Sequence, residues 1–416
     1  MAYTRAMDHA TPARFLSADE ATVALPLPPL DPCAASLRWQ LPAPHPALQA
    51  SVIIPAKDEA LNLPATLAAL AAQTDAQGQS LPPASYEVLV LANNCLDGTA
   101  AVVRRLARQY PALVVHVAEL TLLGAQAHVG RARGLLMDEA CTRLEQVGRC
   151  GGIIASTDAD TRVAPTWLAA IQAEIAAGAD AVGGRIRTDA DATALPAWHR
   201  LQARDTAYRQ LCARLENLLD PCAADPWPRH HQHFGASLAL TAHAYRQVGG
   251  LPEVRFLEDE ALCQALARHD LILRHSPLVQ VLTSARQHGR VEVGLSWQLR
   301  QWRQMSQQQL EPEVENPLQL ARRWQLRREL RTCWASRAQK LPAKMAAQVG
   351  VSGAVLLAQV QLATTFGVLW EWVQAHSSGA AVTHVPISQA LLALPRLIKS
   401  CVTSDAATLA SVLEVV

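Results

Sequence analysis

Two carboxylates one residue apart, Asp158 and Asp160 in the stretch ASTDADTRVAP, follow the apolar run Gly151-Gly152-Ile153-Ile154. In extended backbone, side chains at i and i+2 point the same way, so both acids would face one spot at a strand end, and something positive should sit there. Two readings compete. Strand-end aspartates cap a following helix, and Thr161 to Pro165 leads into the helical pattern APTWLAAIQAEIAA. As hard oxygen ligands, the same pair would hold Mg2+ or Mn2+ against the oxygens of a substrate diphosphate and offset charge on a leaving nucleoside diphosphate.

Three other acid- or amide-bearing stretches have the same local setting. SVIIPAKDEALNL places Pro55, Ala56, Lys57, Asp58 and Glu59 after a short apolar strand, where capping of a helix beginning near Ala60 is the plain role. LANNCLDGT places Asn93, Asn94 and Asp97 after the next strand, residues that also shape turns. RFLEDEALCQAL puts Glu258, Asp259 and Glu260 at a helix start, where the helix dipole favours acids.

The elements that would position these groups alternate. SVIIP, YEVLVLA, LVVHV, GGIIAST and DAVGGRIR read as strands; ALNLPATLAALAAQ, TAAVVRRLARQY and GAQAHVGRARGLLMDEACTRLEQV read as helices between them. Such alternation predicts β-α-β units and an α/β fold with a mostly parallel sheet, helices on both faces, and ligands beyond the carboxyl ends of the strands. Residues 194–219 form an amphipathic helical pattern, SLALT a strand, and Gly249-Gly250 a left-handed helix end.

The chain of 416 residues carries 37 basic and 36 acidic residues, so no broad field argues for nucleic acid as partner. Its nine cysteines show no CxxC spacing, which favours reduced thiols over disulfides or zinc and implies a cytoplasmic protein. The division expected is a proline-rich arm over 1–48, a catalytic domain over 49–300 and a helical region over 301–416. Arginines 322, 323, 327, 328, 331 and 337 read as a solvated helix face. The uncharged stretch 345–370 is long enough for a membrane span, but Gln348, Gln359, Gln361, Thr364 and Thr365 interrupt it. A small buried bundle and peripheral membrane contact through these helices are the two readings left.

In their order, IIPAKDE, NNCLDGT, TDADT and GGLPEVRFLEDEAL, followed by TSARQHGR at 283–290, resemble the motifs of family 2 glycosyltransferases with the GT-A fold, most closely the small non-processive bacterial type. The resemblance runs from about 51 to 303. It implies an inverting, metal-dependent hexosyltransferase-like enzyme using a UDP- or GDP-linked sugar and an acceptor hydroxyl. Pro55, Ala56, Glu59, Asn93 and Asp97 would line the donor pocket, with His128 where the family often has Asn. Asp158 would touch ribose or metal, Asp160 the metal, and Asp259, beside Glu258, would take the acceptor's proton. Arg286 and Arg290 would close over the diphosphate and His288 would complete the metal shell.

Departures narrow the reading. Asn93 stands where an acid is more common, and SWQLRQW has Gln301 where processive enzymes carry Arg. The histidines of RHHQHFG, at 230, 231 and 233, lack the context of a metal motif and read better as lining an acceptor pocket. A DxDx[TV] phosphotransferase is opposed by Arg162 in the fifth position, and a nucleotidyltransferase by the lack of a glycine-rich opening loop. The alternatives kept are a non-catalytic nucleotide-sugar-binding scaffold on the same fold and a metal-dependent phosphotransferase.

Overall fold

A computed structural model describes residues 41–189, 198–286, 294–377 and 382–403. The elements in chain order are β1 (Ala50–Ala56), α1 (Leu63–Ala71), β2 (Tyr86–Asn93), α2 (Thr99–Gln109), β3 (Val114–Leu120), α3 (Val129–Gln146), β4 (Ile153–Ser156), β5 (Thr161–Val163), α4 (Trp167–Ala176) and β6 (Ala181–Asp189). Next come α5 (His199–Leu219), β7 (Leu238–Thr241), α6 (Ala242–Gln247), α7 (Glu258–Arg268), β8 (Leu273–Ser284) and α8 (Leu295–Gln307). The last are β9 (Glu313–Glu315), α9 (Pro317–Ala335), α10 (Ala343–Val349), α11 (Gly353–Leu362), α12 (Phe366–His376), β10 (His384–Pro386) and α13 (Ile387–Thr403).

The described chain divides into two compact units, one built from 41–189 with 228–298, the other from 198–227 with 299–403. The first holds an eight-stranded sheet in the order β3-β2-β1-β4-β7-β6-β8-β5. Its neighbours are parallel except where β7 meets β4 and β6, and where β5 meets β8. This is the α/β, mostly parallel class expected from the alternating pattern.

Both faces of the sheet are covered, which is why its strands read as continuous apolar runs. Val52 and Ile54 of β1 point to the face packed by α1, α2 and α4, where Leu67, Val103 and Trp167 are buried. Ile53 points to the other face, with Leu136 of α3, Tyr245 of α6 and Leu262 of α7. The end of the proline-rich segment lies on this second cluster through Leu41 and Leu48, and residues 1–40 fall outside the described chain. At the opposite edge from the carboxyl ends, Arg143 of α3 makes two hydrogen bonds to buried Glu87, at 2.8 and 2.7 Å, and one to the carbonyl of Pro42.

Register sets the position of the acids. β1 pairs with β2 as far as Ala56, but with β4 only as far as Ile53 against Ser156, so the carboxyl edge steps back at β4. Asp158 and Asp160 therefore do not continue an extended strand. They occupy a turn between β4 and β5, closed by the Thr161 N–H donating to the Asp158 carbonyl. Similarly, α1 starts at Leu63 rather than near Ala60, because Asp58 takes a left-handed φ of 52° and Pro64 fixes the first turn.

The second unit is helical. Tyr208, Leu215 and Leu219 of α5 pack with Leu320 and Trp324 of α9 and with Ile387, Leu394 and Leu397 of α13. Residues 198–227, which the sequence places inside 49–300, thus cluster with the C-terminal helices. The arginine run is not simply solvated: Arg327 and Arg331 both hold the wholly buried carboxylate of Asp220, Arg327 also reaches Glu216 at 2.7 Å, and Arg323 pairs with Glu315 at 2.6 Å. The uncharged stretch is broken into α10, α11 and α12. Among the described residues no single helix is long and apolar enough to cross a membrane; α10 and α11 pass that test only together, and they are bent by 90°.

Candidate active site

The stepped carboxyl edge gathers side chains from five segments around two arginines. Arg133, buried in α3, donates from Nε to Glu258 Oε1 at 3.0 Å, from Nη2 to Asp158 Oδ1 at 3.0 Å, and from Nη1 to the Gly235 carbonyl at 3.0 Å and to Ser156 Oγ. Burial opposes its charge, but Asp158 and Glu258 outweigh that and raise its pKa. Arg286, just beyond β8, donates to both oxygens of Glu59, at 2.9 and 2.5 Å, and its Nη2 lies 3.1 Å from Asp160 Oδ2. The positive partner that two closely spaced acids demand is thus supplied twice, once for each.

The surroundings set the proton affinities. Asp160 is pushed up to about 6, first by burial, then by the charges of Asp158 and Glu59, with Arg286 opposing. Asp259 is raised too, by burial and by neighbouring Glu258, although its carboxylate accepts the Gly235 and Glu260 N–H groups, each at 2.8 Å. Burial also works against ionised Glu260, yet its 2.8 Å contact with His233 prevails and brings it down to about 2. His233 in turn lies 3.2 Å from His275.

Other expected site residues are placed as follows. Pro55 and Ala56 end β1, and Asn93 ends β2, buried, with no hydrogen bond to its side chain among the described residues. Burial works against ionised Asp97, but it accepts from the Thr99 and Ala60 N–H groups and the Thr99 hydroxyl, ties that together lower its pKa and join the loop after β2 to the approach to α1. His128 caps α3 by accepting the Arg131 N–H; burial lowers its pKa, with Glu258 opposing. His288 and Arg290 lie outside the described residues. His230 and His233 are buried in hydrogen bonds, His230 to the Ser276 carbonyl at 3.0 Å, rather than lining open space.

The residues fit a divalent cation. Among the described residues, four carboxylates (Glu59, Asp158, Asp160 and Glu258) converge on two guanidinium groups, those of Arg133 and Arg286. The Asp158 side chain is 37% exposed, with one oxygen engaged by Arg133. Hard oxygen donors in that setting suit Mg2+ or Mn2+. Sequence reasoning missed Arg133, Ser156 and Gly235. Arg133 sits inside a helical pattern, where its spacing signals nothing; the usable signal was the demand of the acids for a cation.

Residues 51–226 match the model of glycosyl transferase family 2. This agrees, over that segment, with the resemblance carried by the motifs. No curated protein matches the chain. Among solved structures, the chain is similar to the mannosyltransferase PcManGT from Pyrobaculum calidifontis, in complex with GDP-Man and Mn2+, at 18% identity and a TM-score of 0.43, covering 90% of this chain and 81% of that one. It is also similar to residues 1–349 of TarS from S. aureus in complex with UDP-GlcNAc, at 15% identity and a TM-score of 0.41, covering 85% and 91%.

Proposed function

We propose that this chain, a glycosyltransferase through its family 2 segment at 51–226, moves a sugar from a UDP- or GDP-linked donor to an acceptor hydroxyl with inversion at the anomeric carbon. The observation that carries this reading is the junction at Arg133: Asp158, on the donor side, and Glu258, next to Asp259, are hydrogen-bonded to one guanidinium.

Asp259 is the base of this reaction. Its raised proton affinity makes it a better acceptor than an ordinary aspartate, and two backbone N–H groups fix its orientation while leaving lone pairs for a substrate hydroxyl. The acceptor oxygen forms a bond to the anomeric carbon as the bond from that carbon to the diphosphate oxygen breaks. The hydroxyl proton passes to Asp259, and the nucleoside diphosphate leaves. Asp158 and Asp160 would hold Mg2+ or Mn2+, which when bound supplies positive charge for the departing diphosphate. Glu59 and Arg286 hold the loop after β1 against Asp160. Pro55, Ala56 and Asn93 lie at strand ends where a nucleoside would rest.

Calorimetric titration of the full chain with UDP and with GDP, each with and without Mn2+, tests the reading. Binding that requires the metal supports it and selects the sugar nucleotides for transfer assays. Folded protein that binds neither nucleotide refutes this donor assignment.

A further inference from the structure

We infer that Arg133 is a positioning residue that locks the donor-side aspartate and the base-bearing segment into one geometry, so that nucleotide binding and turnover both depend on a single buried guanidinium. This rests on the proposed transferase reading and goes beyond it by naming the group that couples its two halves.

The geometry is convergent. Arg133 comes from α3, Ser156 from the end of β4, Asp158 from the turn after it, Gly235 from the segment before β7, and Glu258 and Asp259 from the start of α7. Ser156 Oγ also donates to the Gly235 carbonyl at 2.7 Å, so strand end, loop and guanidinium close a small hydrogen-bonded ring. Gly235 then faces two ways. Its carbonyl accepts from Arg133, and its N–H donates to Asp259. A displacement of the guanidinium is therefore passed to Asp259 through one peptide as well as through Glu258.

Gly235 is required for a steric reason. A Cβ placed there would lie 2.5 Å from Arg133 Cζ, within a side chain that its hydrogen bonds cannot release. At Gly130 a Cβ would similarly crowd Glu258 Cβ, at 3.3 Å. Buried ion pairs contribute little net stability compared with apolar packing, so a guanidinium enclosed here is better explained by the arrangement it enforces. Lysine cannot replace it: a point charge on a flexible stem offers no planar fork to several acceptors at once.

The test compares wild type, Arg133→Lys and Gly235→Ala as full chains, normalised to folded protein by thermal unfolding. Measured quantities are the Kd for UDP or GDP with Mn2+, kcat and KM from nucleoside diphosphate release with a sugar nucleotide that wild type turns over, and hydrogen exchange of the 234–237 amides without metal. Arg133→Lys should lose about 100-fold in kcat, as displaced catalytic groups do, weaken nucleotide binding as well, and exchange faster over 234–237. Gly235→Ala keeps the charge, displaces the fork and should show the same dual loss, which keeps the inference testable even where Arg133→Lys does not fold. Folded Arg133→Lys or Gly235→Ala with wild-type Kd, kcat and exchange overturns the inference alone. Wild type that binds neither nucleotide overturns the transferase reading and this inference with it.

Discussion

Arg286 grips Glu59 with both terminal nitrogens, at 2.9 and 2.5 Å, and with the second of them also reaches Asp160 at 3.1 Å. One guanidinium from beyond β8 thereby fixes the loop after β1 and tempers the acid of the β4–β5 turn. Arg286→Gln removes the charge that holds down the proton affinity of Asp160, already pushed up to about 6 by burial and by Asp158. Nucleotide affinity in the presence of Mn2+ should fall, and fall further at pH 6 than at pH 8, since a protonated carboxyl is a poor ligand. Calorimetry at the two pH values checks this; an equal loss at both would refute it.

Asp160→Asn and Asp259→Asn should separate binding from turnover. The first is expected to abolish metal-dependent nucleotide binding. The second should leave binding near wild type and lower kcat by about 10² to 10⁴-fold, the usual contribution of a positioned base. Retention of wild-type kcat by Asp259→Asn would remove it from that role.

Asp160 also predicts a stability effect of opposite sign to its function. Its folded-state pKa lies above the ordinary value of 3.8, so the folded state holds the proton more tightly. The associated stability is present below about pH 4 and is lost as pH rises through about 6. In chelator at pH 7.5, Asp160→Asn should therefore be more stable than wild type, by roughly 3 kcal/mol at most, and should show no gain at pH 4. Thermal unfolding at both pH values decides it.

Glu87 runs the other way. Burial alone would raise its pKa, but Arg143, His116 and Ser51 together bring it down to about 2. Its stabilisation is full above about pH 4.5 and disappears as pH falls toward 2. Glu87→Gln at pH 7 leaves the buried Arg143 charge with only the more distant Glu139 carboxylate, at 4.0 Å, and should cost roughly 3 kcal/mol in urea unfolding.

Asp220 anchors the helical unit, with both Arg327 and Arg331 on its wholly buried carboxylate. Asp220→Ala should cost about 3 to 5 kcal/mol. Arg104 and Glu119, paired at 2.5 Å but about half exposed, provide the contrast: Arg104→Ala should cost no more than about 1 kcal/mol. Similar losses for the two variants would contradict the burial argument.

Local pattern was enough to read the strands and helices from β1 to β4, because each is a buried run or an amphipathic period that needs only its own residues. The strand-end acids were legible for the same reason. What escaped was set by distant pairing. The three-residue strand β5 exists only against β8, through Thr161 and Thr283. Arg133 becomes a site residue only when residues 25, 102 and 125 positions away converge on it. Gly235 looks like an ordinary loop glycine until the Arg133 guanidinium is seen in the space a Cβ would take.

The assignment of α5 to the helical unit has a consequence for synthesis. Tyr208, Leu215 and Leu219 present an apolar stripe whose partners on α13 begin at Ile387. A ribosome reaches those partners about 170 residues later, on the order of ten seconds or more at ordinary elongation rates. During that interval the stripe has no native cover from α13, while the residues that form β7 and β8 are already synthesised. The nascent polypeptide therefore carries a period of chaperone demand written between its sixth and seventh strands, and a transcript truncated after β8 would extend that period indefinitely.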